Sequence, residues 1–279
     1  MKKTHLIILS LFLTSAIIIT ATVITYKALT VPKSKKYVVE TIEANSKGYI
    51  KVGIISDAQL PQEEKNLYGW DYATVMNGAD HLIKALKYYK SQNVDMIVFN
   101  GDMVNATGDY AAYSAYNKIL DYVYGEDRAE APHIIYPMGN HEFYGGNQEH
   151  NFYKSTGLPL NTRTIVNGYS FISISNSKLE KGDEELAESN DTLADGTYNE
   201  KRIEFLKEQL AAANTEDPNK PIFVFIHMPI SNIVNGGHWA TPQYEEIYSI
   251  LKEYPQAVVF TGHSHYCMSD ERAIMQKDF

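Results

Sequence analysis

A chain of 279 residues that is 44% apolar and 21% charged has material for one large folded unit or two small ones, and its apolar share excludes low-hydrophobicity disorder. A formal net charge of −9 argues against nucleic acid as a partner, because such binding needs a clustered basic surface. The single cysteine, Cys267, cannot close an internal disulfide, so cysteine usage is silent on the compartment.

In chain order, the first feature is an apolar run. From Leu6 to Tyr26 there are 21 residues without a charge, preceded by Lys2 and Lys3 and followed by Lys27, Lys33, Lys35 and Lys36. At about 1.5 Å per residue a helix of this length reaches roughly 30 Å, the thickness of a bilayer core. Residues 1–30 are therefore expected to be an uncleaved anchor. The rival is a cleaved signal peptide, whose apolar region is ordinarily about 7 to 15 residues. Lysines flank both ends and do not orient the span, and long domains translocate regardless of nearby charge. The expected placement is membrane-anchored with an extracytoplasmic folded part, or secreted if the segment is cleaved. Residues 31–48 are polar, contain Pro32 and several lysines, and read as a tether to a domain over 49–279.

"YIKVGIIS" (49–56) predicts a strand by its β-branched content. Val75, Ala79, Leu82, Leu86 and Tyr89 recur at helical spacing. "VDMIVF" (94–99) is a second strand, Tyr113, Tyr116, Leu120 and Val123 mark a second helix, and "HIIYP" (133–137) is a third strand. This alternation predicts parallel strands joined by crossover helices. "TIV" and "YSFISIS" flank Asn167-Gly168, a hairpin signal. Lys178 to Asp195 reads as an acidic surface loop. Thr197 and Glu200 suggest a capping box for a helix carrying Ile203, Phe205, Leu206 and Leu210. "PIFVFI" (221–226) is a strand, Tyr244 to Tyr254 a helix, and "AVVF" (257–260) a last strand. "ERAIMQKDF" (271–279) reads as the opening of a further strand and turn.

Five of these strands end in polar groups: Asp57-Ala58-Gln59, Gly101-Asp102, Gly139-Asn140-His141-Glu142, His227, and Gly262-His263-Ser264-His265. In an open α/β sheet, ligands sit beyond the carboxyl ends of the strands, where all five would gather. Carboxylates, imidazoles and amide oxygens together suit Mn, Fe or Zn better than thiolate-seeking metals. In extended chain, residues i and i+2 point the same way, so Asp57 with Gln59, and His263 with His265, can face one region. Taken singly, each group has a plainer reading: Asp57 as a turn former, Gly101-Asp102 as an ordinary turn, Gln59 as loop filler, His227 as a core histidine. Their ordered recurrence at successive strand ends is what argues for a site.

This ordered set resembles the signature of calcineurin-like metallophosphoesterases, D-x-H/Q, G-D, G-N-H-D/E, H and G-H-x-H, across roughly residues 49 to 265. The resemblance implies an α/β fold, a four-layer α/β/β/α sandwich, with a dinuclear metal site at the strand ends. It places Asp57, Gln59, Asp102 and His265 on one metal and Asp102, Asn140, His227 and His263 on the second, with Asp102 bridging. A metal-activated hydroxide would attack a phosphoester, His141 would act as general acid, and Glu142 would position its imidazole. Two divalent or mixed-valence ions are implied. One imidazole among three oxygen donors on the first metal tilts toward Mn or Fe over Zn.

The expected partners are a small phosphorylated substrate and, through the N-terminal helix, a membrane. Trp70, Tyr144, His150 and His238 are candidate substrate contacts on loops near the strand ends, although aromatic packing is the commoner role. Relatives usually continue past the last histidine with strands that complete the second sheet, so the C-terminal strands are expected to be truncated. A catalytically inactive binding or scaffold module keeping the fold is the alternative. A zinc protease is disfavoured because H-E-x-x-H is absent after His141-Glu142.

Overall fold

The first described element is one the sequence reading missed: Tyr37–Ile42 forms strand β1 within the expected tether. It pairs in parallel with Asn161–Val166, and its side chains alternate between exposed and half-buried. An outer strand of this kind buries no continuous apolar face. Tertiary pairing fixes it, and composition does not. The chain divides into two units, Met1–Ser34 and Lys35–Phe279, and only the second is described here. The computed structural model describes residues 36–279 apart from 46–47, 61–71, 106–110, 144–147, 178–195, 231–232, 235–240, 242, 267 and 277. The expected anchor and acidic loop lie outside the described residues. Among the described residues, no helix is long and apolar enough to cross a membrane.

Next come β2 (Val52–Ile55), α1 (Tyr72–Gln92), β3 (Met96–Phe99), α2 (Ala111–Tyr124) and β4 (His133–Ile135). The three strands pair in parallel in the order β2-β3-β4, as the alternation predicts. After α3 (Gln148–Thr156), the chain forms β5 (Asn161–Val166), β6 (Tyr169–Ile174), α4 (Glu200–Glu216), β7 (Ile222–Ile226), α5 (Tyr244–Leu251) and β8 (Ala257–Phe260). These strands join β1 in a second sheet, ordered β1-β5-β6-β7-β8 and parallel except between β5 and β6. That antiparallel pair turns at Asn167 (φ 51°) and Gly168 (φ 77°), the positive-φ pair that a two-residue hairpin requires.

Alternation along the strands decides the layering, because successive side chains point to opposite faces. Ile97 and Phe99 of β3 pack with Leu82 and Leu86 of α1 and Tyr116 and Leu120 of α2. Met96 and Val98 instead meet Val166, Phe171 and Phe225 of the other sheet. On β7, Ile222, Val224 and Ile226 pack with Leu206 and Leu210 of α4 and Ile247 and Leu251 of α5. The layers therefore run helices, three-stranded sheet, five-stranded sheet, helices.

Two local readings need correction. The N-cap of α4 is Asn199, whose side chain accepts from the Arg202 N–H, whereas Thr197 donates its hydroxyl to the Ser177 carbonyl. The helix thus starts after the expected box residue. The segment expected to open a further strand forms a short 3-10 turn at Glu271–Ala273, capped by Asp270, which accepts from the Arg272 N–H. β2 and β8 are outer strands of their sheets. Beside them, a cavity of about 930 Å³ is walled by Val52, Ile54, Phe171, Phe223, Phe225 and Phe260. Its lining, which also includes Glu43 and Asn167, holds none of the expected ligands, so concavity alone does not mark the chemistry.

Candidate metal centre

The polar strand ends converge, but from two sheets and not one. β2, β3 and β4 deliver Asp57, Asp102 and Asn140, and β7 and β8 deliver His227 and His263. The chain leaves these strands by kinks. Asp57 (φ 58°), Gln59 (φ 44°), Asp102 (φ 53°), His263 (φ 66°) and His265 (φ 53°) all occupy the left-handed region. Such conformations cost about 1–3 kcal/mol each and persist where surrounding structure imposes them, commonly at functional sites. The extended-chain argument for Asp57 with Gln59, and for His263 with His265, therefore does not describe this backbone. Gly101 (φ 84°) shows why the turn is tight, since a Cβ there would lie 2.4 Å from His227 Nδ1.

The side chains form one contiguous cluster. His227 Nε2 lies 3.0 Å from Asp102 Oδ2 and 3.8 Å from Asp57 Oδ1. His265 Nε2 lies 3.2 Å from Asp57 Oδ1. His263 Nδ1 lies 2.9 Å from Asn140 Oδ1, and its backbone N–H donates to both Asp57 oxygens. Gln59 Nε2 lies 3.2 Å from both His141 Nε2 and His265 Nε2. The amide of Gln59 thus turns its NH2 toward the imidazoles, and coordination through Oε1 requires it to turn over. All seven expected ligands, together with His141, take part in this network.

Glu142, expected to position the His141 imidazole, also makes a set of backbone contacts the sequence did not suggest. Its fully buried carboxylate accepts from the backbone N–H groups of Asp102 (2.9 Å), Met103 (2.9 Å) and Gly139 (2.7 Å) and from the Tyr136 hydroxyl (2.6 Å). It ties the Gly101-Asp102 turn to the Gly139-Asn140 turn. The Asn105 carbonyl, 2.6 Å from Nδ1, is a contact that orients His141. With Nδ1–H donated there, Nε2 is the atom turned toward Gln59 and, at 3.9 Å, toward Asp102 Oδ2.

Electrostatics concentrate on the same atoms. Burial would raise the Asp102 carboxyl, but His227 and His141 outweigh it and hold it at about 2. Burial likewise opposes a charged His227, yet Asp102 and Asp57 push it up to about 10. His263 falls to about 4 because burial and the neighbouring His227 disfavour its charge. His265 is raised, first by its hydrogen bond to Asp57. Burial and the adjacent Asp102 charge raise Glu142, against the Tyr136 hydrogen bond. The protein groups by themselves therefore call for positive charge at Asp102 and His227, which a proton or a metal ion can meet.

The residues fit a metal. His227 Nδ1 is 2.8 Å from the Asn100 carbonyl, which points Nε2 at Asp102 Oδ2; that nitrogen carries a proton on the charged ring and offers a lone pair on the neutral one. Both atoms are buried, and neither meets hydrogen-bond geometry with a partner among the described residues. A carboxylate oxygen and an imidazole nitrogen buried face to face need a cation between them, a proton on Nε2 or a metal ion in its place. Asp102, His227 and His263 offer ligand atoms that all lie within 4.8 Å of one another. The donors are imidazole and carboxylate, with an amide oxygen at Asn140, a set that divalent first-row ions accept.

Trp70, Tyr144 and His238 lie outside the described residues. His150 sits on α3 with an exposed side chain. Sequence reasoning missed Asn100, Asn105, Ser56 and Tyr136. Asn100 and Asn105 meet the His227 and His141 rings through backbone carbonyls, which no side-chain motif announces, although both flank the Gly101-Asp102 pair already singled out.

A family model described as Calcineurin-like phosphoesterase matches residues 50–267. No curated protein matches the chain. Among solved structures, a dimetal phosphatase from Danio rerio superposes with a TM-score of 0.59 at 18% identity, covering 80% of this chain and 85% of its own. The TT1561 protein of Thermus thermophilus has a TM-score of 0.47 at 12% identity, covering 76% of this chain and 81% of its own. The first likeness is one of fold, and the second carries no argument.

Proposed function

Because the chain belongs to the calcineurin-like phosphoesterase family, and its strand ends converge on a buried carboxylate–imidazole cluster, we propose that it is a metal-dependent phosphoester hydrolase. The observation that carries this reading is the buried group Asp102, His227 and His263, whose ligand atoms all lie within 4.8 Å of one another and whose Asp102–His227 pair calls for a cation. In the proposal, Asp57, Gln59, Asp102 and His265 hold one ion and Asp102, Asn140, His227 and His263 the other, with Asp102 shared. Mn or Fe suits the oxygen-rich first set, and Zn is the alternative. When bound, such cations supply Lewis acidity, lowering the pKa of water and neutralising charge on phosphoryl oxygens.

The chain's own residues do the rest. Asp102 offers two carboxylate oxygens, so one side chain can serve both ions. The Asn105 carbonyl holds the His141 Nδ1–H, which sets the ring so that Nε2 faces the cluster. His141 then delivers a proton from Nε2 to the leaving oxygen, and its acid form is the doubly protonated ring. Glu142 keeps the two turns that carry Asp102 and Asn140 in register. The proposal includes a small phosphorylated substrate and a catalytic unit outside the cytoplasm, held at a membrane by residues 1–30. That last part rests on the apolar run alone.

The test is metal content per chain together with hydrolysis of an aryl phosphomonoester and an aryl phosphodiester. It compares the wild type with Asp102→Ala and His141→Ala. The wild type is expected to hold metal and to hydrolyse at least one ester. Asp102→Ala is expected to lose both properties. His141→Ala should keep its metal and lose about 10²–10⁴-fold in kcat. Hydrolysis that survives Asp102→Ala would sink the assigned site.

A further inference from the structure

Resting on that reading of the site, we infer that Asn100 is a positioning residue for the metal centre. Its side-chain amide clamps the two sheets together so that its own carbonyl orients His227 and Ser56. Asn100 directly follows β3 of the three-stranded sheet and is buried. Its Nδ2 donates to the Ile226 carbonyl at 3.3 Å and to the Phe260 carbonyl at 3.1 Å, the last residues of β7 and β8 on the other sheet. Its backbone N–H donates to the Ile55 carbonyl of β2 at 2.7 Å. Its carbonyl lies 2.8 Å from His227 Nδ1 and accepts from Ser56 Oγ at 3.0 Å, and Ser56 Oγ also donates to Asp57 Oδ2. One residue thus touches the ends of β2, β7 and β8 and sets two side chains of the cluster.

The chemistry is specific to an amide. Both atoms facing the head group on the five-stranded sheet are carbonyl acceptors, so the NH2 must point there. A carboxylate would set oxygen against oxygen, and an apolar side chain would leave two strand-end carbonyls without their donor. The carbonyl of Asn100 survives any substitution at this position. What a substitution removes is the tie that aims it. Groups that orient metal-binding side chains in this way typically cost about 10–100-fold in metal affinity when lost.

The experiment measures metal affinity by chelator competition, with Mn and Zn as probes, on the full chain of the wild type, Asn100→Ser and Asn100→Ala. Melting temperature is recorded alongside. Affinity is expected to fall by about 10-fold or more in Asn100→Ala. Asn100→Ser, which keeps one hydroxyl donor, should lie between. A residue that served packing alone would lower the melting temperature and leave the affinity of the folded protein unchanged. That result in either folded variant would overturn the inference. Should neither variant fold, hydrogen exchange of the Asn100 side-chain amide in the wild type decides: protected protons support the clamp, and protons exchanging at solvent rates refute it. A wild type that binds no metal would refute the site itself, and unchanged affinity in the variants would refute only the role of Asn100.

Discussion

Glu142→Gln separates the structural role found for Glu142 from the role expected of it. In the wild type, Oε2 accepts from the N–H groups of Asp102 and Gly139, while Oε1 accepts from the Met103 N–H and the Tyr136 hydroxyl. Glutamine must place its NH2 on one of these sides. Toward Asp102 and Gly139 it would orphan two backbone donors. Turned the other way it orphans only the Met103 N–H, because the Tyr136 hydroxyl can rotate and accept. One buried N–H without an acceptor costs about 1–3 kcal/mol, and the remaining bonds each lose roughly 1 kcal/mol when the acceptor is no longer charged. Relief of burying a carboxylate offsets part of this, since burial raises the Glu142 pKa. The net expectation is a loss of about 2–5 kcal/mol. In a unit of this size that is a fall of roughly 4–20 °C in Tm. The assay is thermal unfolding of wild type and variant beside steady-state hydrolysis. A variant with wild-type Tm and a lowered kcat would refute this reasoning and favour Glu142 as the partner of the His141 imidazole.

Gly262→Ala should disable the site from the backbone, because a Cβ there would lie 2.0 Å from Ser56 Oγ and 2.6 Å from Asp57 Oδ2. Metal affinity is expected to drop by about 10-fold or more, and unchanged binding by chelator competition would contradict it. His133, on β4, has its pKa lowered by burial, with Glu40 at 3.3 Å opposing. Its folded pKa lies below the 6.5 of the free side chain, so the unfolded chain takes up more protons on acidification. Stability is full above about pH 6.5 and falls as pH drops toward the folded value, and His133→Phe should flatten Tm between about pH 7 and 5. Equal slopes in both proteins would count against this. Arg202 is buried and pairs with Glu149 at 2.5 Å. Glu149→Ala should cost about 2–4 kcal/mol after allowing for the partial exposure of Glu149, read as a fall in Tm that Glu149→Ala with Arg202→Met largely recovers. A single variant as stable as wild type would argue against a buried pair.

Local patterns carried much of this protein. Helical spacing in Val75 to Tyr89, β-branched runs at 49–56 and 94–99, and Asn167-Gly168 each depend on neighbours a few residues away, and each stands in the structure. The ligand types were legible as well, because a motif is a statement about side-chain chemistry and order. Three matters were decided only by tertiary structure. Strand β1 exists because β5 supplies its partners across more than a hundred residues, and its own sequence shows no buried face. The strand ends divide between two sheets, and Asp57, Gln59, His263 and His265 reach one another through left-handed kinks. Several partners of His141, Glu142 and His227 are backbone groups, those of Asn105, Asp102, Met103, Gly139 and Asn100. Every residue but proline carries the same N–H and C=O, so no residue type marks which of them will meet a given side chain. Only the packing of one sheet on the other makes that choice.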